Sequence, residues 1–295
     1  MPTKRMIATA SGLAAVAGIV ASVALVPTPT LSATPVFEGA WSPRVVTVTA
    51  RDYAFDAPDT IPAGITTIRL VNQGPDLHHV FLMKLDEGKT MADFMNALKA
   101  GGPPPSWMKL AGGPNTPVPG GESNATLSLT AGRYVITCVI PAKDGMPHMM
   151  KGMVRELIVA PSMVPASNEV GALPKADVTI TLTDYAFGAS NPLTAGKQRI
   201  LFRNQAAQPH EAFVAQLAPG KTAQDLMAWL VKQEGPPPAK PIGGVTPITN
   251  GGEIQIDLDL EPGNYAWFCF VPDAKDGKEH VAHGMVHEFT IAARK

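Results

Sequence analysis

The chain has 295 residues, and its 24 basic and 25 acidic side chains give a formal net charge of -1. This balance excludes the strongly basic surface that proteins use to bind nucleic acid. Apolar residues make up 45% of the chain, enough for a sizeable core, and its 27 glycines and 29 prolines indicate a turn-rich β protein.

The first 33 residues have the pattern of a secretory signal peptide. Lys4 and Arg5 form a short basic region, an apolar run of small residues extends from Met6 to Val26, and cleavage is expected after Ala33. We therefore predict export to the periplasm or the extracellular space. The apolar run is also long enough to anchor the chain if it is not removed, and we expect membrane contact only through this segment.

The remainder of the chain repeats itself at an offset of about 132 residues. The matching strings are Asp52-Tyr53-Ala54-Phe55 with Asp184-Tyr185-Ala186-Phe187, Gly88-Lys89-Thr90 with Gly220-Lys221-Thr222, and Gly152-Met153 with Gly284-Met285. This period is far longer than that of a solenoid, so each copy is predicted to be a domain. The predicted boundaries are 34–160 for domain 1, 161–176 for a linker rich in Pro, Ser and Ala, and 177–295 for domain 2.

Within each copy the hydrophobic pattern is mainly that of β-strands. Residues 254–260 alternate strictly between apolar and polar, as a half-buried strand does. One helix per copy is predicted to begin after Thr90 and after Thr222, where an Asp three residues later completes a capping-box pattern. The Gly/Pro-rich segments 101–121 and 235–252 are predicted to be loops. The predicted fold class is mainly β, with two β-sandwich domains that each carry one inserted helix and a Pro/Gly-rich loop.

Histidine, cysteine and methionine recur together at the predicted strand ends. In each copy a histidine follows an asparagine by six residues, a cysteine ends a strand, and a second histidine and a Gly-Met pair come later. Two imidazoles, a thiolate and a thioether are the donors that suit an electron-transfer copper ion. Cys138 and Cys269 occupy equivalent positions of separate predicted domains, so a disulfide between them is not expected.

This arrangement resembles the cupredoxins, the blue-copper family of plastocyanin, amicyanin and azurin. The shared string is Gly-x-Tyr-x-x-x-Cys, then His, three further residues and Gly-Met, and the resemblance covers about residues 44–160 and 176–292. It implies two Greek-key β-sandwich domains, each with one copper ion. The implied copper ligands are His78, Cys138, His148 and Met153 in the first copy, and His210, Cys269, His280 and Met285 in the second.

The sequence also departs from the family. Nine and ten residues separate each cysteine from the next ligand histidine, a length that resembles the two-domain copper nitrite reductases. Those enzymes place a histidine immediately before the cysteine to bind a catalytic copper, whereas this chain has Thr137 and Phe268 there. We therefore predict that the chain is not an enzyme and that it passes single electrons to a redox partner protein.

Two other functions remain open at this stage. Met146, Met149 and Met150 lie beside His148 and favour a copper-trafficking or storage protein, whose partner would be a copper donor or acceptor. A metal-free interaction module with the same fold is the third alternative. Nucleic acid is not expected as a partner of any of them.

Further residues near the predicted ligands receive supporting roles. Asn72 and Asn204 are predicted to hydrogen-bond the loop backbone behind each site. His79 is interpreted as a surface neighbour of His78, and His283 is interpreted as exposed, with a ligand role for either histidine left open.

Overall fold

The computed structural model of this chain describes residues 43–162, here called the first half, and residues 172–293, here called the second half. The predicted signal segment and most of the predicted linker lie outside these ranges. All described residues belong to one compact unit.

Nine strands and one helix make up the first half. They are β1 (Arg44–Arg51), β2 (Ala54–Asp56), β3 (Thr60–Pro62), β4 (Gly64–Asn72), β5 (Phe81–Leu85), α1 (Met91–Ala100), β6 (Met108–Gly112), β7 (Glu122–Leu129), β8 (Gly132–Thr137) and β9 (Val154–Ala160).

The second half contains eight strands and one helix in a matching order. They are β10 (Val178–Thr183), β11 (Ala186–Ala189), β12 (Gly196–Asn204), β13 (His210–Leu217), α2 (Ala223–Lys232), β14 (Ala239–Ile248), β15 (Glu253–Leu260), β16 (Gly263–Phe268) and β17 (Val286–Ile291).

Two sheets run through both halves. The eight-stranded sheet has the order β11-β10-β12-β15-β7-β4-β1-β2, and the nine-stranded sheet has the order β17-β16-β13-β14-β6-β5-β8-β9-β3. The halves join where β7 pairs with β15, with Thr126 opposite Gln255, and where β6 pairs with β14, with Ala111 opposite Ile248. The mainly β architecture predicted from the sequence is therefore confirmed.

One apolar core fills the space between the two sheets. It takes Val48 and Leu82 from the first half and Phe202 and Trp267 from the second, all of them almost completely buried. Side chains of this size each stabilise the fold by about 1.5–3 kcal/mol relative to an exposed position. Since the core is continuous, it holds the strand ends of both halves in one rigid frame.

Both predicted helices are present and begin where the sequence indicated. The Thr90 hydroxyl accepts from the Asp93 backbone N–H while the Asp93 carboxylate accepts from the Thr90 N–H, and the same reciprocal pair caps α2. Phe94 of α1 packs against Phe81 on the outer face of the sheet. Neither helix among the described residues has the length and hydropathy that a bilayer crossing requires.

The prediction that the Gly/Pro-rich segments are only loops is wrong, because they contain β6 and β14. Their glycines allow a very close backbone approach: a Cβ on Gly113 would lie 2.3 Å from the Val80 carbonyl oxygen, and one on Gly244 would lie 1.9 Å from the Ala212 carbonyl oxygen. Both glycines have positive φ, at 149° and 115°. Because β6 pairs with β14, these segments also connect the halves, a role that hydrophobic alternation does not reveal.

Candidate metal centres

The loop that follows β8 is closed by backbone hydrogen bonds around Cys138. Cys138 N–H donates to the Met153 carbonyl at 3.3 Å, and Met153 N–H donates to the His148 carbonyl at 3.0 Å. His148 opens a 3₁₀ turn, His148–Lys151, which ends at Gly152 in a left-handed conformation with φ of 105°. The position after the turn therefore favours glycine, which explains the Gly-Met pair.

The loop after β16 repeats this closure. Cys269 N–H donates to the Met285 carbonyl at 3.3 Å and Met285 N–H donates to the His280 carbonyl at 3.0 Å. Gly284, with φ of 92°, ends the corresponding 3₁₀ turn. The long Cys-to-His loops thus have pinned ends, and they bring cysteine, histidine and methionine together at one end of the sandwich.

In the first half the ring nitrogens of two histidines meet the cysteine sulfur. His78 Nδ1 and His148 Nδ1 lie 3.1 Å apart, and His148 Nδ1 lies 3.6 Å from Cys138 Sγ. One ligand atom from each of the three residues falls within 4.8 Å of the others, and all three residues are buried.

In the second half the same atoms converge. Cys269 Sγ lies 3.7 Å from His210 Nδ1 and 3.4 Å from His280 Nδ1. These three residues also meet within 4.8 Å and are buried. The structure thus brings together three of the four predicted ligands in each half, with the backbone of the fourth hydrogen-bonded to the cysteine.

The spacing of the donor atoms fits a single metal ion. With metal–nitrogen bonds of about 2.0 Å and metal–sulfur bonds of about 2.3 Å, as in zinc sites, nitrogen and sulfur around one ion lie roughly 3.5–3.8 Å apart. The observed nitrogen–sulfur separations of 3.4–3.7 Å lie close to this range. Two imidazoles and a thiolate with a buried methionine nearby favour copper over zinc, and Met153 and Met285 are completely buried.

Burial sets the protonation state of the donors. It raises the pKa of the Cys138 thiol to about 12 and raises the pKa of the Cys269 thiol further. It lowers the pKa of His148, with the nearby His78 lowering it too, and burial also lowers the pKa of His280. Burial therefore disfavours the protonated forms of His148 and His280, and a bound cation must displace the thiol proton.

The two asparagines behind the sites have the predicted role. Asn72 Nδ2 donates to the Asp76 carbonyl at 2.9 Å, and its Oδ1 accepts from Gly74 N–H at 3.0 Å. Asn204 Nδ2 donates to the Gln208 carbonyl at 2.8 Å in the same way. Each asparagine therefore shapes the short loop that leads to the first histidine.

Two carboxylates beside the sites were not assigned any functional role from the sequence. Asp52 Oδ1 lies 2.5 Å from His78 Nε2, and Asp184 Oδ1 lies 2.7 Å from His210 Nε2. Both aspartates belong to the Asp-Tyr-Ala-Phe string that the sequence repeats. Each lies 26 residues before the histidine that it contacts, so the sequence alone does not indicate the contact.

The tyrosine after each of these aspartates contacts the other histidine. The Tyr53 ring packs against His148 with 4.7 Å between ring centroids, and the Tyr185 ring packs against His280 at 5.2 Å. Each Asp-Tyr pair therefore touches both imidazoles of its site.

The interpretation of His79 as a surface residue is wrong. His79 is only 4% exposed, and its Nε2 accepts from the Val139 backbone N–H at 3.3 Å. Its side chain turns inward where the chain enters β5, beside the residue that follows Cys138. Burial, with a smaller contribution from the neighbouring His148 and His78, lowers the pKa of His79 to about 3.

His283 is exposed, as predicted, and belongs to a different group of side chains. Its Nε2 lies 3.2 Å from Asp276 Oδ1, and its ring stacks on Tyr185. Ligand atoms of Asp273, Asp276 and His283 fall within 4.8 Å of one another. Asp273 is buried and is already hydrogen-bonded by the Tyr185 hydroxyl and by Gln208, so this group has the character of a hydrogen-bond network.

Comparison with known proteins yields solved structures of copper proteins. Reduced auracyanin from Roseiflexus castenholzii is 23% identical, over 41% of this chain and 98% of that chain, with a TM-score of 0.28. A copper-containing nitrite reductase from Thermus scotoductus SA-01 is 14% identical, over 85% of this chain and 62% of that chain, with a TM-score of 0.25. The blue copper oxidase from Nitrosomonas europaea is 15% identical, over 85% of this chain and 86% of that chain, with a TM-score of 0.26.

The two-sheet sandwich of the described residues is the cupredoxin-like fold that the sequence predicts. No protein-family profile and no curated protein matches the chain. Both cysteines are free and buried in this cupredoxin-like sandwich, as expected for thiols that do not pair with each other.

The prediction that the chain is not an enzyme is wrong. The solved structures similar to it include a nitrite reductase and an oxidase, which are enzymes. Thr137 and Phe268 replace the histidine that nitrite reductases place immediately before the cysteine. Their presence excludes a catalytic copper bound in that one manner, and it does not exclude catalysis in general.

Proposed function

We propose that this chain is an exported copper protein that transfers single electrons through two type 1-like centres. The proposed ligands are His78, Cys138, His148 and Met153 in one centre, and His210, Cys269, His280 and Met285 in the other. The observation that carries the proposal is the convergence of two Nδ1 atoms and one Sγ atom in each half.

The surroundings of these atoms suit electron transfer. When bound, copper supplies one-electron chemistry between its two oxidation states. The protein presents imidazoles from fully buried histidines, and hydrogen-bonded loops hold the cysteine and the second histidine in place. A donor set that is already close to its binding geometry changes little between oxidation states, which is what rapid electron exchange requires.

The predicted organisation of the chain supports this function. The predicted order is a signal segment at 1–33, a domain at 34–160, a linker at 161–176 and a domain at 177–295. The signal segment would direct the protein out of the cytoplasm, to a compartment where unpaired thiols are otherwise uncommon. Metal ligation explains why Cys138 and Cys269 are free there. The expected partner is a redox protein that docks at one end of the sandwich.

Copper loading tests the proposal. The chain from Thr34 onward is titrated with Cu(II) while the visible spectrum, the electron paramagnetic resonance and the copper stoichiometry are recorded. We expect an intense thiolate-to-copper band and two coppers per chain. Cys138→Ser and Cys269→Ser act as mutual controls, since each variant is expected to lose one copper and half of the band. Absence of the band, or an unchanged spectrum in both variants, would refute the ligand assignment.

Copper trafficking is a second candidate function, favoured by the exposure of two methionines. Met146 and Met150 are 46% and 45% exposed beside His148, so they are accessible as soft Cu(I) donors and are not simply core packing. Replacing them together with Met149 should then weaken Cu(I) uptake from a copper donor and leave the visible band unchanged. Unchanged uptake would exclude this function.

A further inference from the structure

Each first-ligand histidine is held on its outer side by a carboxylate from a distant part of the chain. Asp52 follows β1 and Asp184 follows β10, and their Oδ1 atoms lie 2.5 Å and 2.7 Å from the Nε2 atoms of His78 and His210. Both imidazoles are completely buried, whereas the aspartate side chains are 23% and 36% exposed. The same contact thus occurs in both halves.

The chemistry of this contact determines which ring nitrogen carries the proton. An ionised carboxylate can only accept hydrogen bonds, so the neighbouring Nε2 must be the donor. A neutral imidazole has a single N–H. The Nδ1 atom is then left with its lone pair, and Nδ1 is the atom that faces the other ligands: His78 Nδ1 lies 3.1 Å from His148 Nδ1, and His210 Nδ1 lies 3.7 Å from Cys269 Sγ.

We infer that Asp52 and Asp184 are positioning residues that keep His78 and His210 in the Nε2–H tautomer and lower the reduction potential of each centre. The second part of this inference rests on the proposed copper-binding function. Carboxylates that accept from a metal-bound histidine orient its ring and increase its basicity. Their negative charge also stabilises Cu(II) more than Cu(I), because Cu(II) carries the larger positive charge.

The packing of the first half is built closely around this contact. A Cβ on Gly74 would lie 2.6 Å from Asp52 Oδ1 and 2.6 Å from His78 Nε2, so no larger residue fits there without movement. In the second half the equivalent position is Ala206, which is buried, and the contact is 0.2 Å longer. The neighbouring Tyr53 packs against the second histidine, so the turn supports both rings.

A rival explanation is an ordinary ion pair between a surface aspartate and a histidine, without influence on the metal site. Two variants separate the explanations. Asp52→Asn removes the charge and keeps an oxygen that can accept from Nε2, whereas Asp52→Ala removes both. Asp56→Asn is the matched control, since Asp56 is an exposed carboxylate four residues further along the same turn and strand.

The tautomer is measured first on the metal-free full chain, from the ¹⁵N chemical shifts of His78 at neutral pH. We expect the Nε2–H form in the unaltered protein, in Asp52→Asn and in Asp56→Asn, and a mixture of both tautomers in Asp52→Ala. A predominant Nδ1–H form in the unaltered protein, or an unchanged tautomer in Asp52→Ala, would overturn the inference. This result does not depend on copper, so it is independent of the proposed function.

The loaded protein provides the second readout. We expect Asp52→Ala to bind Cu(II) about 10–100-fold more weakly and Cu(I) with little change. A tenfold loss confined to Cu(II) raises the reduction potential of that centre by about 59 mV. Asp52→Asn should show a smaller rise, and Asp56→Asn none. A potential that stays constant in both Asp52 variants, in a protein that forms its copper centres, would contradict the electrostatic role.

Discussion

Glu211 provides a direct test of how burial in the second half controls stability. It follows His210 on β13, and its Oε1 accepts from the Phe270 N–H at 2.9 Å while its Oε2 accepts from Asn115 Nδ2 of the first half at 3.2 Å. Burial is the main cause that raises the pKa of Glu211 from 4.5 to about 7. The perturbation is Glu211→Gln, which keeps the size of the side chain and removes its titration.

The magnitude follows from proton linkage. The folded chain retains the Glu211 proton up to about pH 7, whereas the unfolded chain releases it near pH 4.5. The folded state therefore binds more protons in this interval, and its stability falls as the pH rises. At about 1.36 kcal/mol per pH unit, the difference corresponds to about 3 kcal/mol of the free energy of unfolding. This contribution is complete below pH 4.5 and is lost above pH 7.

Urea denaturation of the metal-free chain at pH 4.5 and pH 8 measures this difference. The free energy of unfolding of the unaltered protein minus that of Glu211→Gln should decrease by about 3 kcal/mol between the two pH values, since contributions from other groups cancel. Glu253→Gln is the control, because Glu253 is exposed and paired with Arg203, and such pairs contribute at most about 1 kcal/mol. If Glu211→Gln and the unaltered protein respond identically to pH, the argument from burial fails.

Three further predictions concern the contact between the halves and the metal centres. Asn124→Ala removes two hydrogen bonds, each 2.8 Å, between the side-chain amide and the Asp257 backbone. The substitution should lower the free energy of unfolding by about 1–2 kcal/mol in urea denaturation, and an unchanged denaturation midpoint would contradict this expectation. Thr246→Val removes the hydroxyl that donates to the buried Val80 carbonyl and should cost about 1–3 kcal/mol in the same assay, whereas a neutral effect would show that this carbonyl is satisfied elsewhere. Metal uptake should release one proton per centre, because the pKa of the Cys138 thiol is about 12. The metal affinity, measured by competition titration, should therefore rise about tenfold per pH unit between pH 6.5 and 8. A metal affinity that does not change with pH would refute thiolate ligation.

The local features of this chain were accessible from its sequence. Helix starts depend on residues three positions apart, so the capping boxes at Thr90 and Thr222 could be recognised directly. The convergence of cysteine and histidine was also predictable, because Cys138 and His148 belong to one loop whose ends are strands. These are short-range patterns, which a linear sequence displays.

Contacts over long sequence distances were not accessible in the same way. Asp52 meets His78 across 26 residues, and no periodicity links a turn residue to the end of another strand. The strands β6 and β14 lie in segments where glycine and proline mask alternation, and their partners are in the other half of the chain. His79 is interpreted from the sequence as a surface neighbour of His78, but tertiary packing buries it beside Val139.

The ladder between the halves pairs each segment with its own counterpart. Pro114 lies opposite Val245, and the flanking pairs are Ala111 with Ile248 and Pro117 with Ile242, so the ladder extends three residues in each direction from its centre. Such an isologous face is complementary to itself, as in a twofold dimer. A single half released from the chain would therefore present the surface needed to bind another single half. Because the two halves belong to one chain, their association is intramolecular. The covalent connection therefore favours association by giving each half a high effective concentration near the other.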